Sequence, residues 1–199
     1  VNENIFEDMA KRYDTPERIK LANIISKEVS TQLADSQEKT MIDYGSGTGL
    51  ISVQLAHEVS ELIMVDSSNE MLKVVDEKIK QSKLENTRTL LADFIQEVPE
   101  IKADIVMMSL VLLYIPNTRA ILENVYSVLN KGGKLIIVDF DYNEKVKHPK
   151  VHSGFKRDEL KRLLSEIGFQ SSEIRNFHHA KDVFMNQDAD VFIAISQKN

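Results

Sequence analysis

Residues 40–50 read Thr40-Met41-Ile42-Asp43-Tyr44-Gly45-Ser46-Gly47-Thr48-Gly49-Leu50. A short apolar run ends in an acid, and three alternating glycines follow it. Ile51, Leu55 and Val59 then recur at helical spacing, so the expected order is strand, glycine turn, amphipathic helix. Glycines at a strand-to-helix turn let the backbone bend through positive φ and come close to a ligand. The helix start behind them offers unpaired N–H groups and a partial positive charge, which suit a carboxylate or a phosphate. Asp43 falls at the carboxyl end of the strand, where open α/β sheets bind their ligands. The alternative is a turn that serves only as a bend. Spacing removes two phosphate motifs. A dinucleotide fingerprint needs a glycine at the sixth position, and the sixth residue counted from Gly45 is Leu50. A P-loop needs Gly-Lys-Ser/Thr, which does not follow.

Two more apolar runs end in acids: Leu62-Ile63-Met64-Val65-Asp66 and Leu90-Leu91-Ala92-Asp93-Phe94. Three successive strands are therefore expected to end in Asp43, Asp66 and Asp93. With this ordered set the chain resembles, over almost its whole length, the class I S-adenosylmethionine (AdoMet)-dependent methyltransferases. The likeness is nearest to the small-molecule group that includes quinone-biosynthesis C-methyltransferases. The resemblance implies AdoMet as cofactor. It lays Gly45, Gly47 and Gly49 along the methionine portion, with Asp43 holding the amino group through water. It gives the ribose hydroxyls to Asp66 and the adenine amino group to Asp93, with Phe94 beside the base; Met71 falls where a side chain packs on adenine, although a core methionine is the competing and safer reading. Tyr13, in Arg12-Tyr13-Asp14, matches an aromatic that touches the cofactor from the N-terminal region, although packing onto the core would explain it equally. Ser46, Ser67 and Ser109 complete the expected cofactor-binding set. Each carboxylate is a strong acceptor for paired donors, and an acidic rim tolerates a sulfonium charge. Taken singly, each acid also reads as a solvated strand end or a helix cap.

Composition bounds the rest. The chain has 199 residues, 42% hydrophobic, enough for one sizeable core. Its net charge of −6, with Lys and Arg scattered among acids, argues against a nucleic-acid backbone as the main partner. There is no cysteine, hence no disulfide and no thiolate nucleophile, which excludes cytosine C5 methylation through a cysteine adduct. No run approaches the ~18 apolar residues of a membrane span. Val1-Asn2-Glu3-Asn4 carries no signal-peptide pattern, so the cytoplasm is the expected location. Oligomeric state is not legible.

Taken in order, residues 3–14 mix Ile5, Phe6, Met9 and Tyr13 with charges, and Thr15-Pro16 starts a helix whose face is Ala22, Ile25, Val29 and Leu33. Ser67-Ser68-Asn69-Glu70 reads as a capping box with Ser67 at the N-cap, opening a helix with Met71, Val75 and Ile79 inward. Residues 103–109 form a nearly continuous apolar run, as in a strand buried on both faces. By the resemblance its end, Ser109-Leu110-Val111-Leu112-Leu113-Tyr114, faces the methyl group. It lacks the Asp/Asn-Pro-Pro-aromatic sequence of nucleic-acid amino-methyltransferases, and it has leucines at 112 and 113 where many relatives have histidines. Those leucines read either as an apolar pocket or as core. Asn117 opens a helix facing Ile121, Leu122, Val125 and Leu129; Asn130-Lys131-Gly132-Gly133 is expected to end it ahead of a strand at 134–139. Residues 140–156 break the alternation. His148 and His152 there are the weak candidates for a catalytic base, with Asp139 beside them by position, although solvated loop histidines are the readier reading; Pro149 between the histidines and the lack of a carboxylate pattern speak against a metal. A helix ending at Gly168 and an antiparallel pair at 169–177 and 190–196 close the chain, with His178-His179 expected in the exposed loop between them.

The expected fold is α/β: a Rossmann-like, seven-stranded, mostly parallel sheet with an antiparallel last strand, helices on both faces and an N-terminal helical cap. It is read as a single domain over 1–199, with 1–36 as cap and 37–199 as core. The expected activity is methyl transfer from AdoMet to a small-molecule acceptor. Two other readings stay open at this point: a non-catalytic AdoMet- or nucleotide-binding module acting as a partner subunit, and a nicotinamide enzyme, which the glycine spacing disfavours.

Overall fold

The computed structural model describes residues 13–199; the readings placed on Ile5, Phe6 and Met9 lie outside the described residues. The chain divides into two compact units, one ending at Pro99 and one covering Glu100–Asn199. Among the described residues seven strands form a mixed sheet.

In the first unit, α1 (Pro16–Ser30) begins as the Thr15-Pro16 pair requires: Thr15 Oγ1 accepts from the Arg18 amide at 3.3 Å, and Pro16 occupies the first turn. Ala22, Ile25 and Val29 are buried along it, and Leu33 is buried just beyond its end. Strands β1 (Thr40–Tyr44), β2 (Glu61–Asp66) and β3 (Thr87–Leu91) run parallel in the order β3-β2-β1. Helix α2 (Asn69–Ser82) connects β2 to β3, with Met71 and Val75 fully buried and Ile79 half-buried.

The stretch after the glycines departs from expectation. Ser52–Glu58 is a 3-10 helix, although Leu55 and Val59 are buried as predicted. The Val53 amide bonds four residues back to Gly49, but the Gln54 amide already reaches only to Ile51. Both ends are anchored: the Ser52 hydroxyl donates to Asp43, and the Ser60 amide donates to the Lys39 carbonyl at 2.9 Å. As a 3-10 helix, rising ~2.0 Å per residue against ~1.5 Å for an α-helix, these seven residues reach farther than an α-helix of equal length.

In the second unit, β4 (Ala103–Ser109) and β5 (Leu129–Phe140) are parallel, and β7 (Gln187–Lys198) runs antiparallel between β5 and β6 (Phe169–Phe184). The antiparallel last strand is therefore as expected. Helices α3 (Thr118–Val128), capped by the Asn117 side chain, and α4 (Arg157–Ile167), ended by Gly168, complete this unit. Two boundaries move. The Asn130–Gly133 segment does not lie between helix and strand: β5 already begins at Leu129, and the glycines sit in a bulge where the pairing jumps from Ala103↔Leu129 to Ile105↔Lys134. Asn130 Nδ2 secures the bulge by donating to Asp104 at 2.8 Å. His178 and His179 are not in a loop but within β6, paired with Val191 and Asp190. The hairpin turns instead at Met185-Asn186, both at positive φ (51° and 59°), directly after the buried Phe184, whose ring stacks on Phe140 at 4.6 Å.

The cap of α2 also shifts by one residue. Ser68, not Ser67, is the N-cap, its Oγ accepting from the Met71 amide at 3.3 Å, because the Asp66 carboxylate already takes the Ser68 amide and turns the chain there. Replacing Ser68 with Ala should lower stability by about 1 kcal/mol, read from the urea midpoint, while Ser67→Ala leaves that midpoint nearly unchanged. The reverse order would restore Ser67 as the cap.

Candidate functional site

The glycine turn is fastened to the end of β2. The amides of Gly45 and Ser46 both donate to the Val65 carbonyl, at 2.8 and 3.0 Å, and the Gly47 amide donates to Asp66 Oδ2 at 2.8 Å. Asp66 Oδ1 accepts from the Ser68 amide at 2.9 Å. All three glycines have positive φ, at 73°, 56° and 74°. They do not serve alike. A Cβ on Gly49 would stand 3.2 Å from Met64 Sδ and 3.3 Å from Val53 Cγ2, so Gly49 lets the turn pack down on β2. Among the described residues, a Cβ on Gly47 would meet the Tyr13 ring, at 3.9 Å. The Tyr13 ring is in turn covered by the Arg18 guanidinium, 4.1 Å from its centre. Ser46 Oγ is buried with no hydrogen-bond partner, an orphaned polar atom within the turn that suits a polar ligand.

Asp43 is 3% exposed, and its carboxylate accepts from the Ser52 hydroxyl. Burial pushes its pKa up to about 7; the Ser52 hydrogen bond works against the rise and the nearby Asp66 charge adds to it. Asp66 is raised as well, by burial first, with the Ser68, Gly47 and Ser67 amides opposing. Asp93 lies two residues beyond β3. Its Oδ1 accepts from the Ile95 amide at 2.9 Å and from the Tyr44 hydroxyl at 3.4 Å, and that hydroxyl accepts from the Phe94 amide at 3.3 Å. The Tyr44 and Phe94 rings sit 4.5 Å apart. Phe94 and Met71 are both buried, at 0% and 1% exposure, so each is packed into the core of this unit.

The sequence singled out Tyr13, the glycines and the three acids; the first unit bonds Gly47 to Asp66 and sets the Tyr13 ring beside Gly47, while Asp43 is held by Ser52 and Asp93 by Ile95 and Tyr44. It did not single out Tyr44, Ser52, Asp14, Thr48 or Lys78. Asp14 adjoins Tyr13, and Ser52 follows Asp43 by nine residues, but neither spacing belongs to a helical or strand period that would flag it. Lys78 Nζ pairs with Asp14 at 2.6 Å and donates to the Thr48 carbonyl at 2.8 Å, while Thr48 Oγ1 donates to Asp14.

In the second unit, Ser109 ends β4 with its Oγ buried and without a partner. Leu110 follows at φ 52°, held by its amide to the Val138 carbonyl at 2.8 Å; a leucine in that region is strained. Leu112 and Leu113, 0% and 2% exposed, are core. Asp139 is fully buried and accepts the amides of Leu113 (3.1 Å) and Phe140 (2.8 Å). Burial pushes its pKa up to about 7, against the Phe140, Leu113 and Leu112 amides. His152 Nε2 donates to the Ile115 carbonyl at 2.7 Å, leaving Nδ1 with the lone pair of the neutral ring. His148 is exposed, and its Nδ1 accepts from the Lys150 amide at 3.2 Å. Residues 141–145 border a cleft of about 410 Å³ together with His179, Asp188 and Asp190. Among the described residues no group of three or more His, Asp or Glu side chains is placed to hold a metal ion, and no helix is long and apolar enough to cross a membrane.

Asp43, Asp66 and Asp139 hold their protons to higher pH when folded than the ordinary carboxylate value of 3.8. Between that value and about 7 the folded chain binds more protons than the unfolded one, so stability falls as pH rises through this window. The urea midpoint should therefore be higher at pH 5.5 than at pH 8, and Asp139→Asn should flatten the slope. A midpoint that climbs across this range would show that burial does not govern these groups.

A methyltransferase domain family matches residues 35–195. The chain is 27% identical over 170 residues to a carboxy-S-adenosyl-L-methionine synthase of Alteromonas mediterranea, covering 78% of this chain and 67% of that protein. It is 27% identical over 142 residues to a demethylmenaquinone methyltransferase of Listeria welshimeri, covering 68% of this chain and 60% of that protein. The match thus leaves about a third or more of each relative's length unspanned. A SAM-dependent methyltransferase structure from Aquifex aeolicus superposes with a TM-score of 0.72 at 20% identity, over 97% of this chain and 98% of that one, and so shares the Rossmann-like fold. Spanned from before β1 into β7 by that family, the chain belongs to the methyltransferase domain family.

Proposed function

We propose that this chain binds AdoMet and transfers its methyl group to a small-molecule acceptor by in-line displacement. The observation that carries the reading is the glycine turn fastened to β2, with Asp66 receiving the Gly47 and Ser68 amides and an unpartnered Ser46 hydroxyl inside the turn. Membership of the methyltransferase domain family supports it, and so do the two relatives, each named for work with this nucleoside or with methyl transfer. We read 1–199 as one methyltransferase domain, 1–36 as its cap, on the strength of a family match that runs through both units.

Bound AdoMet would supply an electrophilic methyl on a sulfonium sulfur. The work left to the protein is alignment and exclusion of water. In this reading Asp66 turns a remaining lone pair to the ribose hydroxyls, because a carboxylate offers about four acceptor sites and the Gly47, Ser68 and Ser67 amides take three. Asp93 receives the adenine amino group, its loop held by Tyr44. Asp43 faces the ammonium end through water, and a cation there favours its ionised form. Tyr13 packs over the turn, Gly45, Gly49, Ser67, Met71 and Phe94 shape the cradle, and the free Ser109 hydroxyl is assigned to ligand contact in its own unit. An anionic or amine acceptor needs no dedicated base. For an O–H or C–H acceptor, His152 is better suited than His148, since its Nδ1 keeps a lone pair and His148 Nδ1 is engaged.

S-adenosylhomocysteine, present at about a hundred times its Kd, should raise Tm by roughly 5–10 °C in a thermal scan. Asp66→Ala should remove most of that rise, and methyl-labelled AdoMet mixed with a metabolite extract should pass its label to small molecules. Saturable binding without label transfer would favour the non-catalytic module; no saturable binding by folded protein would end the AdoMet reading.

A further inference from the structure

We propose that Asp14 is a positioning residue for the cofactor: acting through Thr48 and Lys78, it latches Tyr13 against the glycine turn and so sets how fast the spent cofactor leaves. The proposal rests on the cofactor reading above. It goes beyond that reading, because no strand-end acid or glycine spacing points to these three residues.

The contacts form a closed network. One Asp14 carboxylate oxygen accepts from the Thr48 hydroxyl, and the other pairs with Lys78 Nζ at 2.6 Å. Lys78 Nζ closes the loop by donating to the Thr48 carbonyl at 2.8 Å. Three stretches remote in sequence meet there: the segment before α1, the glycine turn and α2. Thr48 is 1% exposed, and the Lys78 and Asp14 side chains are only 24% and 28% exposed. A pair shielded to this degree, carrying two further hydrogen bonds, is screened less than the exposed ion pairs elsewhere on the chain.

The latch lies next to the residue it would position. Tyr13 directly precedes Asp14, and its ring lies against Gly47, the neighbour of Thr48. The other side of the segment is tied as well: Arg18 Nη1 donates to the Tyr13 carbonyl at 3.0 Å and its guanidinium lies over the ring. Tyr13 is thus clamped between a helix start and the turn. A nucleoside bound at the turn lies beside this ring, so its release is coupled to the lifting of Tyr13 and Asp14 from Gly47 and Thr48. Lifting the segment breaks both Asp14 contacts. Opening therefore falls on the dissociation step, where most differences in affinity among related variants appear.

A purely structural role predicts a lower Tm and an unchanged release rate, so the release rate is the readout. S-adenosylhomocysteine would be displaced from the full chain by excess AdoMet in a stopped-flow experiment. Asp14→Asn should raise the dissociation rate about tenfold, within the range of coupling between residues of one network. Lys78→Met should act similarly, Lys78→Arg should keep most of the wild-type rate, and Asp14→Asn added to Tyr13→Ala should change nothing further. Thr48→Val serves if either charge variant fails to fold. An unchanged rate in folded Asp14→Asn and Lys78→Met, with wild-type binding intact, overturns the latch alone. A full additional effect in the Tyr13→Ala background overturns it too. Absence of binding by wild type overturns the cofactor reading and the latch together.

Discussion

The end of β2 bears the structure of the first unit. The Val65 carbonyl and the Asp66 carboxylate, adjacent in sequence, take the amides of Gly45, Ser46 and Gly47 from one segment and of Ser68 from another. A buried amide without a partner costs about 1–3 kcal/mol, so the turn is held where these acceptors stand. Their position follows from the parallel register of β1 and β2, in which Asp43 faces Met64 and Tyr44 faces Val65. Shifting that register by one residue would flip the Asp66 side chain to the other face of the sheet and take the Val65 carbonyl out of line with the turn amides.

The carboxylates carry the second constraint. Asp43 and Asp139 are each buried at the carboxyl end of a strand, one in each unit, and each is held by donors from the segment that follows or packs there. Neither has a cationic partner among the contacts described for it. A buried acid in that condition keeps its proton to unusually high pH, which is why both are raised to about 7. They shape their surroundings differently. Asp139 gathers the amides of the 3-10 turn at Leu112–Tyr114, while Asp43 fixes the start of the 3-10 helix through Ser52. Carboxylates perturbed in this way cluster at functional sites.

What the amino-acid sequence determined by itself was the set of features with a local physical cause. Apolar runs bounded by acids located the strands, Thr15-Pro16 located the start of α1, and the glycine spacing ruled out two phosphate motifs and left an acid-led turn whose glycines do adopt positive φ. The family reading followed from the same residues, and the match over 35–195 agrees with it. Tertiary structure decided the rest, because the deciding contacts join residues far apart in the chain. A segment with α-helical periodicity became a 3-10 helix tied down at Ser52 and Ser60, and cross-strand pairing with β7 drew His178 and His179 into β6. The Asp66 carboxylate moved the cap of α2 to Ser68. Asp14 and Lys78, separated by 64 residues, have no shared period or motif; only folding brings their charges to 2.6 Å.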